Sequence, residues 1–227
     1  MTEIHTLSAA RQCLDVIEEN GFSVRQVANV PSIQIVLDKI GKEYLTPAMS
    51  PFFNDFTETS SFWLLLEKDN GPCAALACRF DDLGHTTIDD FWRSSMQRYY
   101  GNCRTPQIGK ISSIISHSIK GRVAYFGDLI IQKDTRGSRS LLHAFAVLAQ
   151  IISHTKWNPD WHYAFISDRH ASLGAQHLYG FCRGVRFAQE WLDPPGTRGS
   201  HECCVYSERS EVIDLIKALS FHLSSRQ

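Results

Sequence analysis

RVAYFGDLIIQKDTRGSRSLL, residues 122–142, is the stretch from which the fold can be read. Val123 to Ile131 is an apolar, β-branched run and predicts a mostly buried strand. A polar turn follows at Gln132–Arg139, holding Arg136, Gly137, Ser138 and Arg139. Leu141, Leu142, Phe145, Leu148, Ala149 and Ile152 then recur at helical spacing. Strand, basic glycine-containing turn and helix make the layout of an anion site. The first amides of a helix have no intrahelical acceptor and sit at the positive end of its dipole. Gly137 lets a ligand approach the backbone, and Arg136 and Arg139 add formal charge, so a phosphate or pyrophosphate is the expected guest. The same letters also fit an ordinary strand-to-helix turn with surface arginines. The rest of the chain decides between the two.

With 227 residues, 43% hydrophobic and 21% charged, the chain is expected to fold around a real core. Lys+Arg number 23 against 24 Asp+Glu, a net charge of −1, which argues against a general nucleic-acid binder. Seven cysteines are scattered without a CxxC pair, so neither a disulfide framework nor a zinc finger is indicated, and reduced thiols are expected. The start, MTEIHTLSAARQ, lacks a basic segment followed by an apolar one, and no window is long and apolar enough to cross a bilayer. A cytoplasmic protein without membrane partners is the expectation.

Leu7, Ala10, Leu14 and Ile17 mark one helical face that stops at Asn20-Gly21. Phe22 to Ala28 reads as a short strand, and Ile33, Val36, Leu37 and Ile40 as the inner face of a second helix ending near Gly41. Pro47 to Phe56 reads as a loop with a short helix, a candidate lid or substrate wall carrying Phe52, Phe53 and Phe56. Ser61–Glu67 and Cys73–Phe80 flank Asn70-Gly71 and predict a buried hairpin. Asp81–Cys103 is acidic at first and then reads as a helix with Phe91, Trp92, Met96, Tyr99 and Tyr100; Trp161–Ser167 reads as a strand, and Asp168–Phe181 as a short helix with Asp168 as its candidate cap. Val185–Leu192 and Glu202–Ser207 predict a terminal hairpin around Pro194-Pro195-Gly196, before a last helix with Ser210 as cap. One domain over residues 1–227 follows. Its class is α/β, a mixed, mostly antiparallel sheet with a central βαβ unit.

That order and that turn resemble the GNAT superfamily of acyl-CoA N-acyltransferases, over roughly residues 22–207. FGDLII, QKDTRGS with its helix, YAFIS and GAQHLYGF carry the resemblance. It implies an enzyme that moves an acetyl or other acyl group from acyl-coenzyme A to an amine. It also implies that backbone amides from Arg136 through Gly137, Ser138, Arg139 and Ser140 hold the coenzyme pyrophosphate, while Leu129, Ile130 and Ile131 pair with the pantetheine arm. The family turn has the pattern Arg/Gln-x-x-Gly-x-Gly/Ala. Arg136 matches its first position, but Arg139 stands where Gly is expected and Leu141 where Gly or Ala is expected. Arg139 either crowds the pyrophosphate or swings outward and pairs with it.

The second family pattern, Ala-x-x-Leu/Phe-Tyr followed by Gly-Phe, is matched by Ala175, Leu178 and Tyr179 and by Gly180-Phe181. The family separates the tyrosine from Gly-Phe; here they are adjacent, and counting back from Gly-Phe places His177 at that position. The reaction needs a neutral amine to attack the thioester and an acid near the leaving sulfur. Tyr179 is the first candidate for that acid and His177 the second, with core packing as the plain alternative for Tyr179. Asp128 is a candidate base or ammonium partner, or else a structural partner of Arg122 or Arg79.

His201-Glu202-Cys203-Cys204 looks metal-like, but strand alternation sends His201 and Cys203 one way and Glu202 and Cys204 the other, so no metal is expected. No GxSxG elbow, P-loop or dinucleotide fingerprint occurs. The expected co-substrates are acetyl-CoA or another acyl-CoA and a small-molecule amine, with a homodimer as an option for assembly. The rival reading is an inactive module of the same fold that binds a coenzyme or a protein partner. An acyl-homoserine-lactone-type synthase shares the architecture, and nothing in the sequence favours it.

Overall fold

A computed structural model describes residues 2–69, 71–100, 108–195 and 198–222. Asn70 of the expected turn, Cys103 and Gly196 lie outside the described residues. In chain order the elements are α1 (Glu3–Glu19), β1 (Ser23–Val27), α2 (Ile33–Ile40), β2 (Ser61–Lys68), β3 (Gly71–Asp82), α3 (Ile88–Tyr100), β4 (Ile108–Ile111) and α4 (Ser113–Ser118). They continue with β5 (Arg122–Ile131), α5 (Arg139–Trp157), β6 (Trp161–Ile166), α6 (Asp168–Ser172), α7 (Ala175–Leu178), β7 (Arg183–Trp191), β8 (His201–Glu208) and α8 (Arg209–His222). The strands form one sheet in the order β1-β2-β3-β5-β6-β8-β7-β4, in which β5–β6 is the parallel pair. The expected mixed, mostly antiparallel sheet with its central βαβ unit is what forms.

Both faces of the sheet are covered, which is why β2 and β3 read as unbroken apolar runs. Phe62, Leu64 and Leu66 point to a layer made by α1, α5 and α8, while Trp63 and Leu65 point to one made by α2, α3 and α4. Cys203 joins the first layer and Cys204 the second, the alternation expected of that strand. The six described cysteines are all free. Among the described residues, no helix is long and apolar enough to cross a membrane.

Several local expectations need correction. The buried stripe of α1 is Ala9, Cys13 and Ile17, with Leu7 exposed, because α1 packs against α5 and α8 together. The segment before the hairpin contains turns and no helix. The acidic start of the Asp81–Cys103 segment is divided, as β3 runs on to Asp82 and the helix after it begins at Ile88. The helix expected over Asp168–Phe181 is broken into α6 and α7 by Gly174, whose φ of +75° is left-handed. Ser167, not Asp168, caps α6 by accepting from the His170 amide. At α8, which begins at Arg209, the Glu211 carboxylate rather than Ser210 takes the free amide of Glu208.

Candidate functional site

The site originates in one irregularity of β5. Ala77 lies opposite Gly127 and Ala75 opposite Ile130, so β5 carries one more residue than β3 there, a β-bulge. Asp128 occupies it with φ +55°, a left-handed conformation that is uncommon for side-chain-bearing residues and best tolerated by Asn and Asp. The parallel pairing of β5 with β6 runs from Val123↔Trp161 to Phe126↔Ala164 and ends there. Beyond it β5 follows β3 and β6 follows β8, and the two strands part.

The gap is a cleft of about 660 Å³, walled by Leu129, Ile130 and Ile131 on one side and by Ala164 and Ile166 on the other. The cleft is also lined by Arg136, the first arginine of the basic turn, which it shares with a small adjoining cavity lined by Gly137 and Ser138. Ser138 caps α5, its hydroxyl accepting from the Leu141 amide at 3.2 Å and donating to Asn20 at 3.1 Å. The amides of Gly137, Ser138, Arg139 and Ser140 meet no backbone acceptor among the described residues. Gly137 has φ +127° and open space where a side chain would stand. The Arg136 guanidinium donates from Nε to the Ile131 carbonyl at 3.0 Å and faces the cleft. Neither Arg136 nor Arg139 has a carboxylate partner among the described residues. Free amides, a bare glycine and two unneutralised arginines fit a diphosphate. Arg139 is exposed and Leu141 is buried under the sheet, so neither departure from the family turn fills the cleft.

Tyr179 reaches the same cleft from the end of α7. Its carbonyl accepts from Gln150 Nε2 at 2.7 Å. Gly180, with φ +78°, lets this turn close onto α5, since a Cβ there would sit 2.7 Å from Val147 and 3.0 Å from Gln150 Nε2. Burial raises the Tyr179 hydroxyl above the ordinary phenol range, which keeps it protonated at neutral pH. His177 is exposed and does not line the cleft, so the structure brings Tyr179 and not His177 to the site.

Asp128 also lines the cleft, with a different partner from those expected. Arg79 pairs with Asp81 and Arg122 with Asp160. Asp128 instead takes Lys42 Nζ at 2.8 Å, the Thr46 hydroxyl at 2.7 Å and the Thr46 amide at 3.2 Å. Neither Lys42 nor Thr46 carries a sequence pattern that marks it. The segment that follows them is tied to the body of the fold: Arg79 donates to the Ala48 carbonyl at 2.8 Å and Asn29 to that of Met49 at 3.0 Å.

A second cleft of about 630 Å³ opens beyond the bulge, lined by Tyr44, Thr46, Tyr125, Asp168, Arg198 and His201 among others. Burial pushes the Tyr125 hydroxyl up to about 12. Glu202 at its edge is fully engaged by Arg198, Trp191 and Gln189. The two clefts share Lys42, Gly127, Asp128, Phe165, Ile166 and Ser167, which form a common throat.

No family model matches the chain, and no curated relative matches its sequence. Solved structures do match. An agmatine N-acetyltransferase in its apo form is 14% identical with a TM-score of 0.51, over 82% of this chain and 99% of that one. FeeM, an N-acyl amino acid synthase from uncultured soil microbes, is 10% identical with a TM-score of 0.49, over 88% and 97%. NAA60 of Arabidopsis thaliana, solved with acetyl-CoA, is 10% identical with a TM-score of 0.48, over 82% and 98%. At such identities the likeness is one of fold.

Proposed function

The fold is that of the GNAT N-acyltransferases, and on that premise we propose that this chain transfers an acyl group from acyl-coenzyme A to a small amine. One observation carries the reading: two clefts meet where β5 and β6 part, and the first reaches Arg136, beyond which a small cavity lined by Gly137 and Ser138 continues into the turn of free amides. A long donor with an anionic tail and a thioester tip would lie in the first cleft. The acceptor would enter by the second, and the reacting atoms would meet at the throat.

In this assignment the amides of Gly137 to Ser140 and the side chains of Arg136 and Arg139 bind the diphosphate. Backbone groups of Leu129, Ile130 and Ile131, on the edge of β5 that has no strand partner among the described residues, hold the pantetheine amides. Coenzyme A supplies the activated thioester. The amine nitrogen forms a bond to the carbonyl carbon, the carbon–sulfur bond breaks with its electron pair going to sulfur, and the proton lost by the amine is balanced by one gained by the sulfur. Tyr179 donates that proton, since its hydroxyl is kept protonated and has no hydrogen-bond partner among the described residues. Juxtaposing two substrates supplies much of the rate, so little further chemistry is asked of the protein.

The test is calorimetry and thermal unfolding with coenzyme A and acetyl-CoA. Ligand that binds the folded state alone raises the unfolding midpoint by mass action. Arg136→Ala should weaken binding of both coenzymes about tenfold, the worth of one charge-assisted contact of ~1.5 kcal/mol. An unshifted midpoint at millimolar ligand would remove the assignment.

A further inference from the structure

We infer that Lys42 is a catalytic residue of this site, its ammonium placed to stabilise the negative charge that develops on the thioester oxygen during transfer. The inference rests on the acyl-transfer reading and assigns it a group that no sequence pattern marks.

The position of Lys42 follows from the chain. Helix α2 ends at Gly41, whose φ is +84°. The Lys42 amide then bonds back to the Leu37 carbonyl at 3.0 Å and the Gly41 amide to Asp38, the closing pattern of a helix that stops on a left-handed glycine. The Lys42 carbonyl accepts from Gln34 Nε2 at 3.3 Å. With its backbone held at both ends, Lys42 sends its side chain to the β5 bulge, where Nζ meets Asp128 at 2.8 Å.

Of the six residues that line both clefts, Lys42 and Asp128 are the charged ones. Arg136 lines only the first cleft and Arg198 only the second. Transfer between the clefts has to pass the throat, so this ion pair faces the reacting atoms. Its members are not equally accessible. The Asp128 side chain is 1% exposed and its oxygens take three donors, whereas the Lys42 side chain is 15% exposed. An incoming amine therefore meets the ammonium before the carboxylate. Asp128 is the positioning residue, which holds the bulge in its left-handed conformation and aims Lys42. An ammonium has three N–H donors, and Asp128 occupies one of them. A donor fixed in advance in a partly dry throat needs no rearrangement as charge builds, and removing such a donor typically slows turnover ~10²–10³-fold.

The experiment is the infrared carbonyl band of isotope-labelled acetyl-CoA bound to the full chain, read beside calorimetric affinities for acetyl-CoA and coenzyme A. Because Lys42→Met alone strands a buried carboxylate, the variant is Lys42→Met combined with Asp128→Asn, with Lys42→Arg as a charge-retaining companion. The expected result is a bound band below its frequency in water for the native chain and for Lys42→Arg. The double variant should return the band upward, lose any preference for acetyl-CoA over coenzyme A, and still bind coenzyme A within about twofold. Identical bands in native and double variant would overturn the role of Lys42 and leave the acyl-transfer reading standing. Equal weakening of both coenzymes would do the same, as it marks a structural role. A native chain that binds neither coenzyme would remove both.

Discussion

Tyr179 and Lys42 face the same cleft, and they differ in how far a reader of the sequence could have found them. Tyr179 sits in Ala175-x-x-Leu178-Tyr179 before Gly180-Phe181, a pattern that places an aromatic at the end of a short helix beside a tight turn. Its adjacency to Gly-Phe left His177 as an alternative, and exposure of His177 away from the cleft separates the two. Tyr179→Phe removes one oxygen and leaves the ring that packs beside Phe181 and α5. Turnover should fall by about 10²-fold, the usual worth of one general acid, while the dissociation constant for acetyl-CoA holds. Steady-state rates beside calorimetry check this, and equal turnover would return Tyr179 to a packing role. Lys42 could not be read in this way. It is a lone lysine after a helix-ending glycine, and its meaning arises only when a bulge 86 positions further along the chain brings Asp128 to it. Asp128 itself was legible as a strand carboxylate in need of a partner; which partner is a tertiary fact.

At the scale of elements, β5, its turn and α5 were legible because three independent signals agree: β-branched letters, a glycine between arginines, and apolar residues at helical spacing. The short elements β4 and α4 were not, since four and six residues are too few to establish a period. The β5 bulge was equally hidden, because one extra residue leaves the apolar run intact. The split between α6 and α7 has a visible cause in Gly174, but the consequence of Gly180 for the site shows only in three dimensions. Gly180→Ala places a methyl 2.7 Å from Val147 Cγ2 and 3.0 Å from Gln150 Nε2, at a φ of +78° that alanine resists. Loss of ~1–3 kcal/mol of stability is expected, from left-handed strain and overpacking together. The turn that carries Tyr179 should be displaced with it. Denaturant midpoints measure the first effect. A fall in turnover larger than that of any equally destabilised variant elsewhere measures the second, and a midpoint within error of the native chain would contradict the close packing of this turn.

At the scale of the whole molecule, the single sheet covered on both faces was readable from unbroken apolar strands alternating with amphipathic helices. The polar groups sealed inside it were not readable, because nothing in a sequence says which histidine a sheet will bury. His162 on β6 lies beneath α5, with Nδ1 3.3 Å from Gln150 Oε1, its ring against Phe126, and Nε2 without a partner among the described residues. Burial, aided by the nearby His154, drives it down to about 3 from an ordinary 6.5. His154 is lowered as well, by burial first. The direction of the pH effect follows from proton counts. Above 6.5 neither the folded nor the unfolded chain protonates His162, and its contribution is flat. Between 6.5 and about 3 the unfolded chain binds a proton that the folded chain refuses, so stability falls as pH falls. One such group steepens the acid limb by up to ~1.4 kcal/mol per pH unit. The buried thiols Cys13, Cys78 and Cys204, all pushed upward by burial, act at the other end: the unfolded chain loses their protons first, so stability falls again as pH rises past their ordinary range. His162→Gln keeps a polar group toward Gln150 and removes the titration. Urea midpoints of native and variant chains, taken from about pH 4 to pH 8, should therefore differ in slope below ~pH 6.5, with the variant shallower by up to one proton. Parallel curves would mean that the folded chain accepts the proton at His162 after all, and that the layer beneath α5 is open to water.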